Sequence, residues 1–180
     1  MMIKRDLKLS TKKRFLLLFI ILVCFMVPMF SYTATNRTSP QIRENNKKLA
    51  ESIKALTSGE THLNEIADFE WDYLYSFPAG TSIEEMMRLS GTSSKDGMIS
   101  PSSSDQVNLL FVRGDATVAS ICGETNNLKY DFDFGVMTSR YVRIGHGDNP
   151  LLSVEVSDGI VTLRLPEGYE EAYREIAEAE

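Results

Sequence analysis

Between Phe69 and Phe77 an aromatic residue stands at every second position: Phe69, Trp71, Tyr73, Tyr75 and Phe77. Successive side chains of a β-strand point to opposite faces, so one unbroken strand here carries all five rings on one side. Each ring buries roughly 150–250 Å² once covered. No other stretch offers as much apolar area per residue, and Trp71 is the only Trp in the chain. The rest of the sequence has to supply a cover for that face.

Two segments have the caps and apolar stripes of covering helices. Ser39-Pro40 places a capping residue before a proline at the first helical position. Ile42, Leu49, Ile53 and Leu56 then form a thin stripe that Gly59 ends. The polar surroundings of that stripe predict a stalk helix that meets the domain only at its far end. Past the turn Pro78-Ala79-Gly80, Thr81 or Ser82 caps a second helix, with Ile83, Met86, Met87 and Leu89 inward and Gly91 as its stop. Thr92 to Asp105 is a Ser-rich loop of 14 residues, long for a compact domain.

Strand signals dominate the second half. Val107 to Val112 is apolar on both faces and reads as a central strand. Gly114-Asp115 turns the chain into a return strand from Thr117 to Cys122. Leu128, Tyr130, Phe132 and Phe134 alternate with charged residues, and Arg140 to Ile144 is a further strand. Leu151–Val156 and Ile160–Leu165 flank Asp158-Gly159, the strongest hairpin signal in the chain. Pro166 precedes a closing helix with Tyr169, Ala172, Tyr173 and Ile176 on its inner stripe. Consecutive hairpins predict an α+β domain: an antiparallel meander of about five to six strands with helices on one face.

The N-terminal region has a different character. Residues 1–14 carry Lys4, Arg5, Lys8, Lys12, Lys13 and Arg14, and Phe15 to Phe30 contains no polar residue except Cys24. As a helix that run spans about 24 Å, and Ser31 and Tyr32 extend it toward the roughly 30 Å hydrocarbon core. Basic residues before the run place 1–14 in the cytoplasm and the residues after the run outside. The sequence therefore predicts a cytoplasmic head at 1–14, a transmembrane signal-anchor at 15–32, a linker and stalk helix at 33–59, and an extracytoplasmic domain at 60–180. A cleaved signal peptide, giving a secreted form, is the rival. Its only small-x-small site, Ser31-Tyr32-Thr33, has no Ala at either key position. Lipid attachment at Cys24 lacks the small preceding residue. Asn36-Arg37-Thr38 matches a glycosylation acceptor, a tripeptide common by chance.

Six of the 19 basic residues and one of the 25 acidic residues fall in 1–30, which leaves the remainder at a net charge of −11. Such a domain lacks the basic footprint that nucleic-acid phosphates require. With Cys24 in the apolar run, Cys122 is a lone thiol on the far side, expected as a small buried hydrophobe.

Residues capable of chemistry are scattered. His146 lies between two glycines near Asp148, and with a serine of the 92–105 loop it would make a hydrolytic pair, but no nucleophile elbow is present. Asp131 and Asp133, with Glu124 upstream, are the nearest approach to metal-ligand spacing, but no Asp-x-Asp-x-Asp-Gly loop follows, so a solvated strand face is expected and no metal site. Arg113-Gly114-Asp115 spells an adhesion tripeptide where a hairpin turn is needed in any case. No phosphate-binding glycine loop or redox Cys pair occurs, so no cofactor is expected. The binding surface that the sequence offers is Trp71, Asp72, Tyr73 and Tyr75, a carboxylate beside an aromatic platform.

The pattern Phe69-x-Trp71-Asp72-x-Leu74-Tyr75-x-Phe77-x-x-x-Thr81, followed by a short helix ending at Gly91, resembles a group of small, uncharacterised bacterial extracytoplasmic proteins. These carry an F-x-W-D-x-Φ-Y-x-F-x-P-Y-T-like strand and turn and an N-terminal signal or lipoprotein segment. The likeness covers about 25 residues, and Pro78-Ala79-Gly80 departs from the Pro-Tyr of the pattern. It implies a bacterial, extracytoplasmic protein and no particular activity. The function expected from the sequence is a single-pass membrane protein displaying an acidic domain that binds an envelope protein or other envelope component. The alternatives are a self-associating envelope component and a small envelope hydrolase.

Overall fold

The computed structural model describes residues 38–134 and 141–166. They form twelve elements: α1 (Pro40–Lys54), β1 (Gly59–His62), α2 (Leu63–Ile66), β2 (Tyr73–Ser76), α3 (Ile83–Ser90), β3 (Gln106–Arg113), β4 (Ala116–Glu124), α4 (Thr125–Leu128), β5 (Tyr130–Asp133), β6 (Val142–Gly145), β7 (Leu151–Ser157) and β8 (Ile160–Arg164). The α+β class is as expected. The single meander is not what forms. The strands divide into two four-stranded sheets, one ordered β1-β7-β8-β5 and the other β4-β3-β2-β6. After β4 the chain crosses to the first sheet as β5, returns to the second as β6, and crosses back as β7. This route lays β5 parallel to β8, in the register Tyr130↔Val161 to Asp133↔Arg164. Every other pairing is antiparallel.

The main core fills the space between the sheets. Tyr130, Leu152, Val154, Val161 and Leu163 face it from the first sheet, and Leu74, Leu109, Phe111, Ala119 and Ile144 from the second. β3 is apolar on both faces because both are covered. Val107, Leu109 and Phe111 point between the sheets, while Leu110 and Val112 point outward into a second cluster. Met86 of α3 and Met98 of the 92–105 loop close that second cluster. The Ser-rich segment is thus a packed cover: Gly80 N–H donates to Pro101 O, and the Ser100 hydroxyl donates to Thr81 O.

Local signals in the sequence set the helix ends. Ser39 Oγ accepts the Ile42 N–H at 3.2 Å, and Ser82 Oγ accepts the Glu85 N–H at 3.2 Å. Gly91 ends α3 in the left-handed conformation at φ 69°. The helix expected as a stalk packs from its first turn, with Ile42, Asn45, Leu49 and Ile53 all buried. The reason is polar as well as apolar: Asn45 and Asn46 bond to the backbone of β4. Among the described residues no helix is long and apolar enough to cross a membrane. The proposed span at 15–32, the closing helix after Pro166 and Arg140 at the start of the strand expected over 140–144 lie outside the described residues.

Candidate functional site

The aromatic stretch does not present one face. β2 begins only at Tyr73, and the alternation breaks at a bend on Asp72. Phe69 and Trp71 turn inward and meet Phe111 edge-on, at 5.3 and 5.4 Å between ring centroids. Tyr75 and Phe77 point to the other side of the sheet and stack on each other at 5.9 Å. Trp71, Tyr75 and Phe77 are all buried. Desolvation raises the Tyr75 hydroxyl pKa above its ordinary value.

Asp72 is exposed, yet its groups are engaged. Its carboxylate accepts the Gly114 N–H at 2.7 Å, its own N–H donates to Val112 O, and its carbonyl accepts the His146 N–H. It holds the β3–β4 turn and the end of β6 against β2. Of the four residues that the sequence offered for binding, only Tyr73 presents a large exposed ring, at 42%. That ring lies opposite Gly145 on β6, under the Arg143 guanidinium at 5.3 Å. It covers the gap left by a residue without a side chain.

His146 touches Trp71 edge-on at 5.0 Å, and its carbonyl accepts the Asn64 amide. The other histidine, His62, bonds through Nδ1 to Asn149 O. Among the described residues no serine hydroxyl is hydrogen-bonded to His146, and no group of three His, Cys, Asp or Glu side chains is placed to hold a metal ion. Ser93, Ser100 and Ser102 bond to Asp115 O, Thr81 O and Gln106 Oε1 instead. Cys122 is half-buried, and desolvation raises its thiol pKa.

A concave feature lies at one end of the fold, where β2 ends and β3 begins. A cleft of about 420 Å³ runs between that end and the strand β5. Ser76, Phe77, Asn108, Phe132 and Phe134 line it, and Asp131 and Asp133 stand at its side. A second hollow of about 440 Å³ adjoins it and shares Ser103, Ser104 and Asp131, adding Asp105, Glu124 and Asn126. Together they form one trough, each part within the size range of small-ligand sites. Among the described residues no Lys, Arg or His lines it.

Local chemistry fixes the trough walls. Asp131 turns its carboxylate back onto the Phe132 N–H at 2.9 Å. Ser103 Oγ accepts the Asp105 N–H, and Ser104 donates to the Asp105 carboxylate. Asn108 is buried, and its Oδ1 accepts the Phe77 N–H at 3.2 Å. The Phe132 and Phe134 rings stack at 5.8 Å. Asp133 is held outside this set by Arg164, at 3.1 Å. Arg164 also bonds to Glu155, and those two carboxylates, Glu155 first, raise the guanidinium pKa.

The spacing of Asp131, Asp133 and Glu124 drew attention to these residues in the sequence. It gave no sign that Asp131 and Glu124 would share a trough while Asp133 paired elsewhere. Nothing in the sequence connected them to Ser76 or Ser103. Comparisons with protein-family models, with curated proteins and with solved structures found no match.

Proposed function

We propose that the chain is a single-pass membrane protein of bacterial origin that displays an acidic extracytoplasmic domain and acts by binding, with the trough as its contact site. The apolar run at 15–32 and the basic head before it support the anchor and its orientation. The observation that carries the binding reading is the trough itself. It is a concave, polar-rimmed space floored by phenyl rings at one end of the fold, the arrangement that small ligands and short segments of partners use. The partner is an envelope protein or another envelope component.

The test is site-specific photocrosslinking in intact cells, combined with external protease on spheroplasts. A crosslinking residue at Ser104 or Asn126 on the trough rim gives adducts, while one at Glu60 on β1 gives none. Protease added outside removes the domain and leaves residues 1–14 protected. A domain shielded from that protease, or a rim as silent as Glu60, refutes the proposal.

A further inference from the structure

We infer that α3 and the Ser-rich segment form a cover over the second apolar cluster that methionine oxidation releases. This device is independent of the binding reading above.

Hydrogen bonds close the cover on itself at its base. Gly80 N–H donates to Pro101 O, and the Ser100 hydroxyl donates to Thr81 O. Further along, Thr92 N–H donates to Met87 O, and Met98 N–H donates to Lys95 O. Residues 80–101 therefore keep these bonds when they move together. Units of this kind open locally, below the free energy of global unfolding.

The hold of the cover on the rest of the fold is mostly apolar. Outside the cluster, Ser93 donates through its N–H and its hydroxyl to Asp115 O, Asn108 Nδ2 donates to Ile99 O at 3.5 Å, and Gly97 backs onto the Ile42 side chain. Inside the cluster, β2, the residue after it and β3 supply the buried side chains of Tyr75, Phe77, Leu110 and Val112. The cover answers with Met86 and Met98, and Ile83, Met87 and Leu89 are partly buried around them. Both side chains that seat the cover in depth are thioethers.

A thioether packs as an apolar group until it is oxidised. With hydrogen peroxide as the oxidant, a sulfur lone pair takes one peroxide oxygen. The S–O bond forms as the O–O bond breaks, and water leaves. Sulfur gives up two electrons and the peroxide gains them. The sulfoxide is polar, and a buried polar group without a partner is unfavourable. Among the described residues of the cluster only the two tyrosines carry a side-chain donor. Exposure sets the order of attack. Met98 is 7% exposed and Met87 is half-buried, whereas Met86 is 0% exposed. Peroxide meets Met87 and Met98 first, the Met98 sulfoxide loosens the seat, and Met86 follows once the cover has lifted. Tyr75, Phe77, Leu110 and Val112 are then uncovered, while Trp71 stays closed in the main core.

The test treats the full chain in detergent with hydrogen peroxide, in a Cys24→Ser, Cys122→Ser background so that no thiol reacts. Peptide mass spectrometry reads the sulfoxide at each methionine. A brief trypsin digestion reads cleavage after Arg88, which lies inside α3 and is protected while that helix is seated. Oxidation of Met98 before Met86 is expected, with a tenfold or greater rise in Arg88 cleavage and an unchanged native Trp71 fluorescence maximum. Adding Met86→Leu and Met98→Leu, which nearly conserve volume, should hold the cleavage rate at its untreated value in peroxide. Treating the oxidised chain with both methionine sulfoxide reductases and dithiothreitol before digestion should restore protection. A Met98 that stays reduced, or one that is oxidised without added cleavage at Arg88, overturns the proposal. A rise that survives in the Leu variant, or that comes with loss of the native Trp71 signal, overturns it as well. If the Leu variant fails to fold by circular dichroism, the reductase treatment carries the test, and a rise that it does not reverse overturns the proposal.

Discussion

Asn46 sits inside α1, where its intrinsic preference is poor, and its removal measures how α1 is attached. Its Nδ2 donates to Ser120 O at 2.6 Å, and its Oδ1 accepts the Ser120 N–H at 2.8 Å. Asn45 adds a bond to Val118 O at 2.9 Å. Each hydrogen bond to a partly buried backbone group contributes about 1 kcal/mol net. Asn46→Ala therefore loses about 2 kcal/mol of bonding and regains up to about 0.7 kcal/mol of helix propensity. The net loss is about 1.5 kcal/mol. With a urea slope of about 2 kcal/mol/M, the midpoint falls by roughly 0.7 M. Asn46→Asp has no propensity gain, keeps the acceptor, and sets an oxygen against the Ser120 carbonyl, so it falls further. The expected order in urea titrations of the full chain is wild type, then Ala, then Asp. Asp as stable as Ala, or an Ala shift under about 0.2 M, refutes the view that this amide clamps helix to strand.

Three other outcomes rest on single residues. Burial pushes the Tyr130 hydroxyl up to about 12 from an ordinary value near 10, because the charged phenolate is desolvated. The folded state thus holds this proton more tightly. The stability it contributes is complete below about pH 10 and is lost as pH rises through about 12. Absorbance titration should show a last tyrosinate near pH 12 that is missing in Tyr130→Phe. Gly97 has φ 73°, and a Cβ there would lie 3.1 Å from two side-chain carbons of Ile42. Gly97→Ala should lose about 1–3 kcal/mol in the same urea assay, where an exposed loop glycine would lose far less. Trp71 is 3% exposed, so its fluorescence should resist iodide quenching in the native state and become quenchable in urea. Native quenching equal to that of the unfolded chain would contradict its placement.

What the sequence disclosed was local. Ser39, Ser82 and Gly91 mark helix ends through the backbone groups beside them, and Asp158-Gly159 makes its hairpin with both residues at positive φ. Alternation along Leu151–Ser157 says which side chains are buried. It does not say against which strand, and that is why the parallel partnership of β5 with β8 and the division into two sheets were not legible. The aromatic stretch misled for a related reason. Period-two spacing implies one face only while the strand is regular, and the bonds that Asp72 makes to Gly114 and His146 depend on segments far away in the chain. The trough was invisible on the same grounds, since residues 76–79, 103–108 and 131–134 meet only once both sheets are assembled.

The sheet edges bear on how such a domain meets a partner. An unpaired edge N–H invites a strand from another chain. Here four such N–H groups are covered from within. Asn46 takes the Ser120 N–H on β4, and Asp148 takes the Gly145 N–H on β6 at 2.7 Å. On β5 the Lys129 and Asp133 carbonyls accept from β8, so the Phe132 N–H points away from the sheet, and Asp131 takes it. Where β1 begins, Ser58 Oγ accepts the Val156 N–H. Each cap is a short polar side chain, local in the chain for Asp131 and Asp148 and brought in by the fold for Asn46 and Ser58. Strand addition at these positions would have to displace the caps. Recognition by side chains in the trough needs no such displacement. Asp131 lies at the rim of that trough and closes the β5 edge with one carboxylate oxygen.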